Sequence, residues 1–348
     1  MKKILLLKLI FLILFLNSFI FTFPLSAKGG IFEIGRFLEH FNWVEICGVL
    51  EQFNWKEFHL NGTLELEESG LRKGVNIAYW NKEGLTYAFM DFSIYGGTVD
   101  SDGKILLLNL PEGTQLYPED ASYFGIKGKA GIELSKDITL LYIPVTTKPY
   151  LCLGLDYWSK TRSLILSIST VKDGEESIIN IDTGNYEEKW TILFWKIGLK
   201  SEIELFLMRL IVNLWAGSDF FSKNRIDVSN LLDYLNTYNS VTTNDYSITI
   251  ETFQIAPETI ELKPNGSFFY GIDLTLKYSN FFVKGYYKHY RWNKSPEEKI
   301  YVEYEYSLWM KTDTGTGTTV EEKYSGNVEL FQPESEESDY GIVIGFVF

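Results

Sequence analysis

The sequence predicts an all-β fold: a transmembrane, antiparallel, up-and-down β-barrel of about 14–16 strands. Three observations carry that expectation. About seventeen stretches alternate apolar with polar residues, several of them ten or more residues long, where strands of globular proteins average about five or six. The final stretch, Tyr340 to Phe348, alternates bulky apolar with small residues and stops on an aromatic. No stretch after residue 27 has the eighteen or so consecutive apolar residues of a spanning helix. Residence in a membrane then requires strands, and strands satisfy their backbone in lipid only when closed into a barrel.

Composition agrees. Of 348 residues 16% are aromatic, with 22 Tyr, 25 Phe and 9 Trp, as expected where many strands cross two membrane interfaces. The net charge of −14 offers no basic field for nucleic acid, which is set aside as a partner. Cys47 and Cys152 allow one disulfide, and neither has metal-ligand spacing. The sequence calls for no cofactor and no metal.

Residues 1–27 read as a cleaved export signal. Lys2, Lys3 and Lys8 precede an unbroken apolar run, Leu9 to Leu16, and Ser26-Ala27 offers small residues for cleavage. Losing three lysines takes the charge from −14 to −17. Residues 28–55 read as a hairpin or small plug, because Phe37 to Trp43 is echoed by Val49 to Trp55 twelve residues later. An even shift keeps two copies on one face of strands.

The barrel is expected over residues 56–348. Period two is firm from Phe58. Phe124, Ile126, Ala130, Ile132 and Leu134 oppose Lys127, Lys129 and Glu133. Glu202 to Trp215 fits helix or strand and is assigned to strand from its context. Residues 216–245 break the rhythm and hold a short helix near 227–238. Tyr270, Ile272, Leu274, Leu276 and Tyr278 oppose Asp273 and Lys277, and Ser279-Asn280 turns the chain. Ile300 to Met310 opposes Lys299, Glu303, Glu305 and Lys311. Val320 to Leu330 opposes Glu321, Lys323 and Glu329. Pro333 to Asp339 reads as an acidic loop.

The end of the chain, with Tyr340, Ile342, Ile344, Phe346 and Phe348 on one face, resembles the terminal strand of Gram-negative outer-membrane β-barrel proteins. That resemblance covers nine residues and names a class. It implies that this strand is the insertion signal read by the barrel-assembly machinery, that the C-terminus is periplasmic, and that short turns lie on that side. Outer-membrane lipid is the other implied partner; oligomeric state is left open.

Catalytic signals are sparse. His289 is the histidine to test, because outer-membrane lipid hydrolases of this class pair His with a nearby Ser; the third position of His289-Tyr290-Arg291 is Arg, so that spacing fails. The glycine-rich run Gly125 to Gly131 lacks the following helix of a phosphate loop. Asp100-Ser101-Asp102-Gly103 lacks the later Glu of a calcium loop. The polar faces named above, from Lys127 to Glu329, would line the lumen with mixed charge. The expectation is a porin-like channel for small polar solutes. The alternative is a non-channel barrel whose loops bind partners, with a lipid-modifying enzyme third.

Overall fold

A computed structural model describes residues 43–58, 64–103, 114–140, 143–172, 175–238, 240–242, 246–311 and 317–348. The expected export signal, the first part of the 28–55 segment, His40, His59 and the run Lys104–Leu110 lie outside the described residues.

Sixteen strands are described. In chain order they are β1 (Trp43–Phe58), β2 (Leu64–Glu83), β3 (Thr86–Gly103), β4 (Thr114–Leu134), β5 (Lys136–Leu140), β6 (Ile143–Lys172), β7 (Glu175–Leu205) and β8 (Met208–Asp227). Helix α1 (Ser229–Thr237) follows, then β9 (Ser240–Thr242), β10 (Tyr246–Ala256), β11 (Thr259–Leu262), β12 (Ser267–Tyr278), β13 (Phe281–Trp292), β14 (Glu298–Lys311), β15 (Gly317–Leu330) and β16 (Glu334–Val347).

Ten of them close a ring: β1, β2, β3, β4, β6, β7, β8, β12, β13, β16 and back to β1, each pair antiparallel. Closure removes the sheet edges that could not be left bare in lipid. The last join is backbone to backbone: the N–H of Val44 donates to the carbonyl of Phe348 (3.1 Å) and the N–H of Phe348 to that of Val44 (2.8 Å). The barrel therefore has ten strands, not the expected 14–16, because six of the sixteen described strands lie outside the ring. The 28–55 segment is corrected too. From Trp43 onward it is neither hairpin nor plug but barrel strand β1, paired with both β16 and β2.

One end of the ring has tight turns. Gly84-Leu85, Phe206-Leu207 and Ser279-Asn280 connect strands in two residues, with positive φ at Gly84, Phe206 and Ser279, as hairpin twist demands. The turn at Phe206 splits the stretch 202–215, which is strand on both sides of it. At the other end β6 and β7 run on well past their neighbours, paired from Lys172 and Glu175.

The outward face of the ring is apolar. Tyr340, Ile342, Ile344, Phe346 and Phe348 are all exposed, and Leu274, Leu276, Tyr278, Phe281 and Val283 continue the surface on β12 and β13. From Tyr340 to Phe348, at about 3.3 Å per residue and a tilt of about 40°, the belt rises roughly 20 Å, close to the ~25 Å band of membrane barrels. Aromatics mark its rims, with Phe281 packed edge-on to Phe346 (5.5 Å) at one and Phe268 beside Tyr270 (6.1 Å) at the other.

Of the remaining strands, β5 extends β6 at the tight-turn end, and the others build a cap beyond the long-strand end. A four-stranded sheet, ordered β15-β14-β10-β9, joins the insert after β8 to the insert after β13. Its inner side packs on α1: Leu231, Leu232 and Leu235 meet Ile248, Ile250, Ile300, Val302, Leu308 and Leu330 in one buried core. The helix forms because those leucines share a face. Asp227 at its start accepts hydrogen bonds from the Ser229 N–H (3.2 Å) and hydroxyl (2.7 Å). The hydroxyl bond holds the Asp227 carboxyl below its usual range. The break in rhythm after residue 216 is a bulge within β8. Leu193 faces Phe221 but Phe194 faces Asp219, so Phe220 is an extra residue that flips the parity.

Candidate functional site

The inward faces of the ten strands form stacked layers. Nearest the tight turns is a chamber of about 480 Å³ lined by aromatic rings, including Trp43, Trp80, Tyr87 and Tyr150, and by charged side chains. A second space of about 190 Å³ lies above it. Two ion pairs sit at this level, Lys129 to Asp91 (2.9 Å) and Lys127 to Asp156 (2.7 Å). The Lys127 ammonium also donates to the Tyr290 hydroxyl (3.1 Å).

Next comes a charged cluster. Arg72 donates to Glu51 (2.9 Å), Glu337 (3.1 Å) and Asp339 (2.8 Å). Lys288 pairs with Glu51 and Asp339, both at 2.8 Å, and the Tyr286 hydroxyl donates to Glu51 (2.6 Å). The Arg72 guanidinium also lies 4.1 Å from the centre of the Phe53 ring, which ties this layer to the one above.

That next layer is indole. Trp55, Trp158, Trp190 and Trp292 pack together with centroid distances of 5.1 to 6.0 Å, and Trp55 and Trp190 are wholly buried. They come from β1, β6, β7 and β13. In ring order β1 and β7 are five steps apart, which in a ring of ten is diametrically opposite. The Trp55–Trp190 contact at 5.8 Å therefore spans the bore. So does the Lys127–Tyr290 bond, since β4 and β13 are also five steps apart. A barrel of about eight strands has an interior that side chains just fill, and ten is close to that limit.

Above the indoles lies a second ionic cluster. Glu68 accepts from Arg162 (2.6 and 2.8 Å), Lys160 (3.1 Å) and the Tyr123 hydroxyl (2.7 Å). Glu188 accepts from Arg162 (3.2 Å) and the Tyr186 hydroxyl (3.0 Å), and lies 3.4 Å from Lys160. All four charged groups are buried. The apolar core of the cap closes the stack.

Of the residues expected to line a pore, five face the lumen: Lys127, Lys129, Glu133, Asp273 and Lys277. Glu133 is paired with Lys200, and Asp273 accepts from the Asn213 amide (2.6 Å) and the Trp215 indole (3.2 Å). The other seven are corrected. Lys299, Glu303, Glu305, Lys311, Glu321, Lys323 and Glu329 lie on β14 and β15, in the cap sheet and outside the ring. There Lys323 pairs with Glu305 (2.5 Å) on the solvent side, and Glu303 accepts from Tyr301 (2.9 Å). Period two is the same whether the apolar face meets lipid or a cap core, so parity alone does not separate them.

The five residues of the expected insertion signal all point outward. The Pro333–Asp339 stretch is strand β16 from Glu334 on, and it delivers Glu337 and Asp339 to the lumen. Both the Gly125–Gly131 run and Asp100–Gly103 are paired strand rather than ligand loops. Cys47 and Cys152 are free thiols.

His289 gains a neighbour that reading along one strand does not show. Its Nδ1 lies 2.8 Å from the Ser338 hydroxyl, directly across on β16, at the upper rim of the apolar belt. Among the described residues no hydrogen bond fixes the other ring nitrogen, and the Asn54 amide that reaches this spot is engaged by the Ser338 carbonyl (3.0 Å).

No protein family matches the chain, and no curated protein does. Solved structures similar to it are outer-membrane proteins. The outer membrane protease OmpT of Escherichia coli is 9% identical over 88% of this chain and 96% of that one, with a TM-score of 0.47. The translocator domain of the autotransporter NalP of Neisseria meningitidis is 13% identical over 89% and 94%, at 0.32. The toluene transporter TodX of P. putida is 8% identical over 88% and 89%, at 0.27. Scores this low carry no argument about activity. The closed ring and its apolar belt make the chain a β-barrel of the membrane-spanning type, the fold of the outer-membrane proteins it is similar to, with no specific family identified.

Proposed function

We propose that this protein is a non-conducting outer-membrane barrel that holds a folded β-sheet cap at the cell surface and acts through that cap, binding partners there. The observation that carries the reading is the Trp55–Trp190 contact across the full diameter, with a buried ionic cluster on either side of it. A passive channel needs a continuous aqueous path, and porins obtain it with 16–18 strands. Here the cap sits at the end opposite the tight turns. With those turns periplasmic, as the terminal strand's resemblance implies, the cap stands outside the cell. Residues 1–27 then direct export and are removed. The reading includes no catalytic step.

Planar-bilayer recording of the purified, folded protein tests it. The expected result is no steady current above the lipid baseline. A stable ohmic conductance would overturn the closed reading and restore the porin-like one. Orientation has its own test in a variant free of Cys47 and Cys152. Lys323→Cys in the cap should react with a membrane-impermeant maleimide on intact cells, and Leu85→Cys at a tight turn should not. The reverse labelling would place the cap in the periplasm.

A further inference from the structure

The chamber near the tight turns has a charge balance unlike that of the whole chain. Eight basic and five acidic side chains line it, an excess of three positive charges in a protein of net charge −14. Its acidic groups are largely committed. Asp91 holds Lys129, Glu133 holds Lys200, and Glu202 holds Lys148 (2.7 Å). Asp273 is occupied by Asn213 and Trp215. Glu45 and Asp273 make no ion pair among the described residues.

Three lysines are left over. Lys196, Lys277 and Lys284 line the chamber, and among the described residues none has a carboxylate oxygen within ion-pair distance. Lys196 instead stands over the Trp215 ring, 3.7 Å from its centre. An ammonium inside a narrow lumen is costly when no anion balances it. A cation on an indole recovers part of that cost and leaves its outward side free for an anion. The walls supply the rest: Trp43, Trp80, Tyr87, Phe89 and Tyr150 present rings to the same space. Small-molecule sites are cavities of roughly 300–1,000 Å³ with aromatic walls and a few placed polar groups. About 480 Å³ with three unpaired ammoniums meets that description.

We propose that this chamber binds an organic anion with a flat apolar body, its charge held by Lys196, Lys277 and Lys284 and its body by the aromatic wall. The site goes beyond the function proposed above, because it lies on the opposite side of the indole layer from the cap and does not depend on whether that layer conducts.

The test is isothermal titration of the folded full chain in detergent with three probes: 2-naphthoate, the neutral 2-naphthalenemethanol, and inorganic phosphate. Naphthoate should bind saturably, more tightly than either comparison probe, and more weakly as salt rises. A hydrogen bond to a charged group contributes about 1.5–3 kcal/mol, so Lys196→Met and Lys284→Met should each weaken naphthoate binding about tenfold or more. Lys223→Met on the outside of the barrel should leave it unchanged. Variants are scored only if they keep the electrophoretic shift between unheated and boiled samples; should either fail, Lys277→Gln takes its place. Equal binding of the alcohol and the carboxylate, phosphate binding as tight as naphthoate, unaltered binding in the lysine variants, or no saturable naphthoate binding would each overturn the proposal.

Discussion

Trp55 and Trp190 meet at 5.8 Å although their strands stand on opposite sides of the ring. Two indoles reach across because each extends inward from its wall, and Trp158 and Trp292 fill the gaps beside them. Burial of this kind is dominated by area and packing. Truncating Trp190 to Ala should cost about 3–5 kcal/mol of stability, the range for large core aromatics. The urea midpoint of unfolding, followed by loss of the heat-dependent electrophoretic shift, reads this directly. The same variant should remain non-conducting in a planar bilayer. The Lys127–Tyr290 bridge still crosses the bore on one side, and the cap core still covers the other.

The ionic cluster above the indoles makes a second prediction. Arg162 serves both Glu68 and Glu188, so Arg162→Met leaves two buried carboxylates sharing Lys160 alone. Removing one partner from a buried pair costs about 3–5 kcal/mol, chiefly as desolvated charge left unbalanced. Adding Glu68→Gln should restore part of the loss, since it removes one of those charges. On the solvent side of the cap, Lys323→Met breaks the pair with Glu305 and should shift the urea midpoint immeasurably, because water already screens that pair. Equal losses at the two sites would show that the lumen cluster is hydrated in solution.

Much of the barrel was legible in the sequence, because period two fixes which residues share a face. The outward positions on β4, β12 and β16 follow from parity alone, as do the inward Lys127, Lys129, Glu133, Asp273 and Lys277. What parity omits is the medium. Ile300, Val302 and Leu308 form a stripe as regular as Ile272, Leu274 and Leu276, yet one stripe is buried against α1 and the other is exposed on the belt. Long-range pairing decides between them, and it leaves no local mark. The seal was missed for the same reason. Trp55, Trp158, Trp190 and Trp292 each fall at an inward position, but their meeting depends on ring order. The pairing of His289 with Ser338 likewise exists only through strand register.

The difference in medium can be measured. An Arg at the midplane of a membrane barrel's lipid face costs about 2–4 kcal/mol, falling towards the interfaces. Leu274→Arg lies on the belt, within β12 and away from both its ends. It should lower stability in phospholipid vesicles by that amount and by less in detergent micelles, whose surfactant rearranges around the charge. Leu308→Arg, inside the cap core, should destabilise in both media alike. If the two variants responded identically to the change of medium, the belt would not face lipid.

The terminal strand joins two roles that one residue can separate. Phe348 closes the ring through backbone bonds to Val44, and its ring points outward, exposed. Replacing the side chain leaves the backbone bonds in place. Phe348→Ser should therefore refold in detergent with nearly the urea midpoint of the parent chain, since little packing is lost from an exposed ring. In cells the outcome should differ. If the outward face of Tyr340, Ile342, Ile344, Phe346 and Phe348 is what the assembly machinery reads, the variant accumulates unfolded, and the fraction showing the heat-dependent shift in envelope extracts falls severalfold. Deleting Phe346 to Phe348 also removes the bonds at this end of the β1–β16 seam, so it should lower the urea midpoint in detergent and fail in cells. Normal cellular folding of Phe348→Ser, beside loss of folding in the deletion, would assign the last residues to their end of the seam and leave recognition to some other part of the chain.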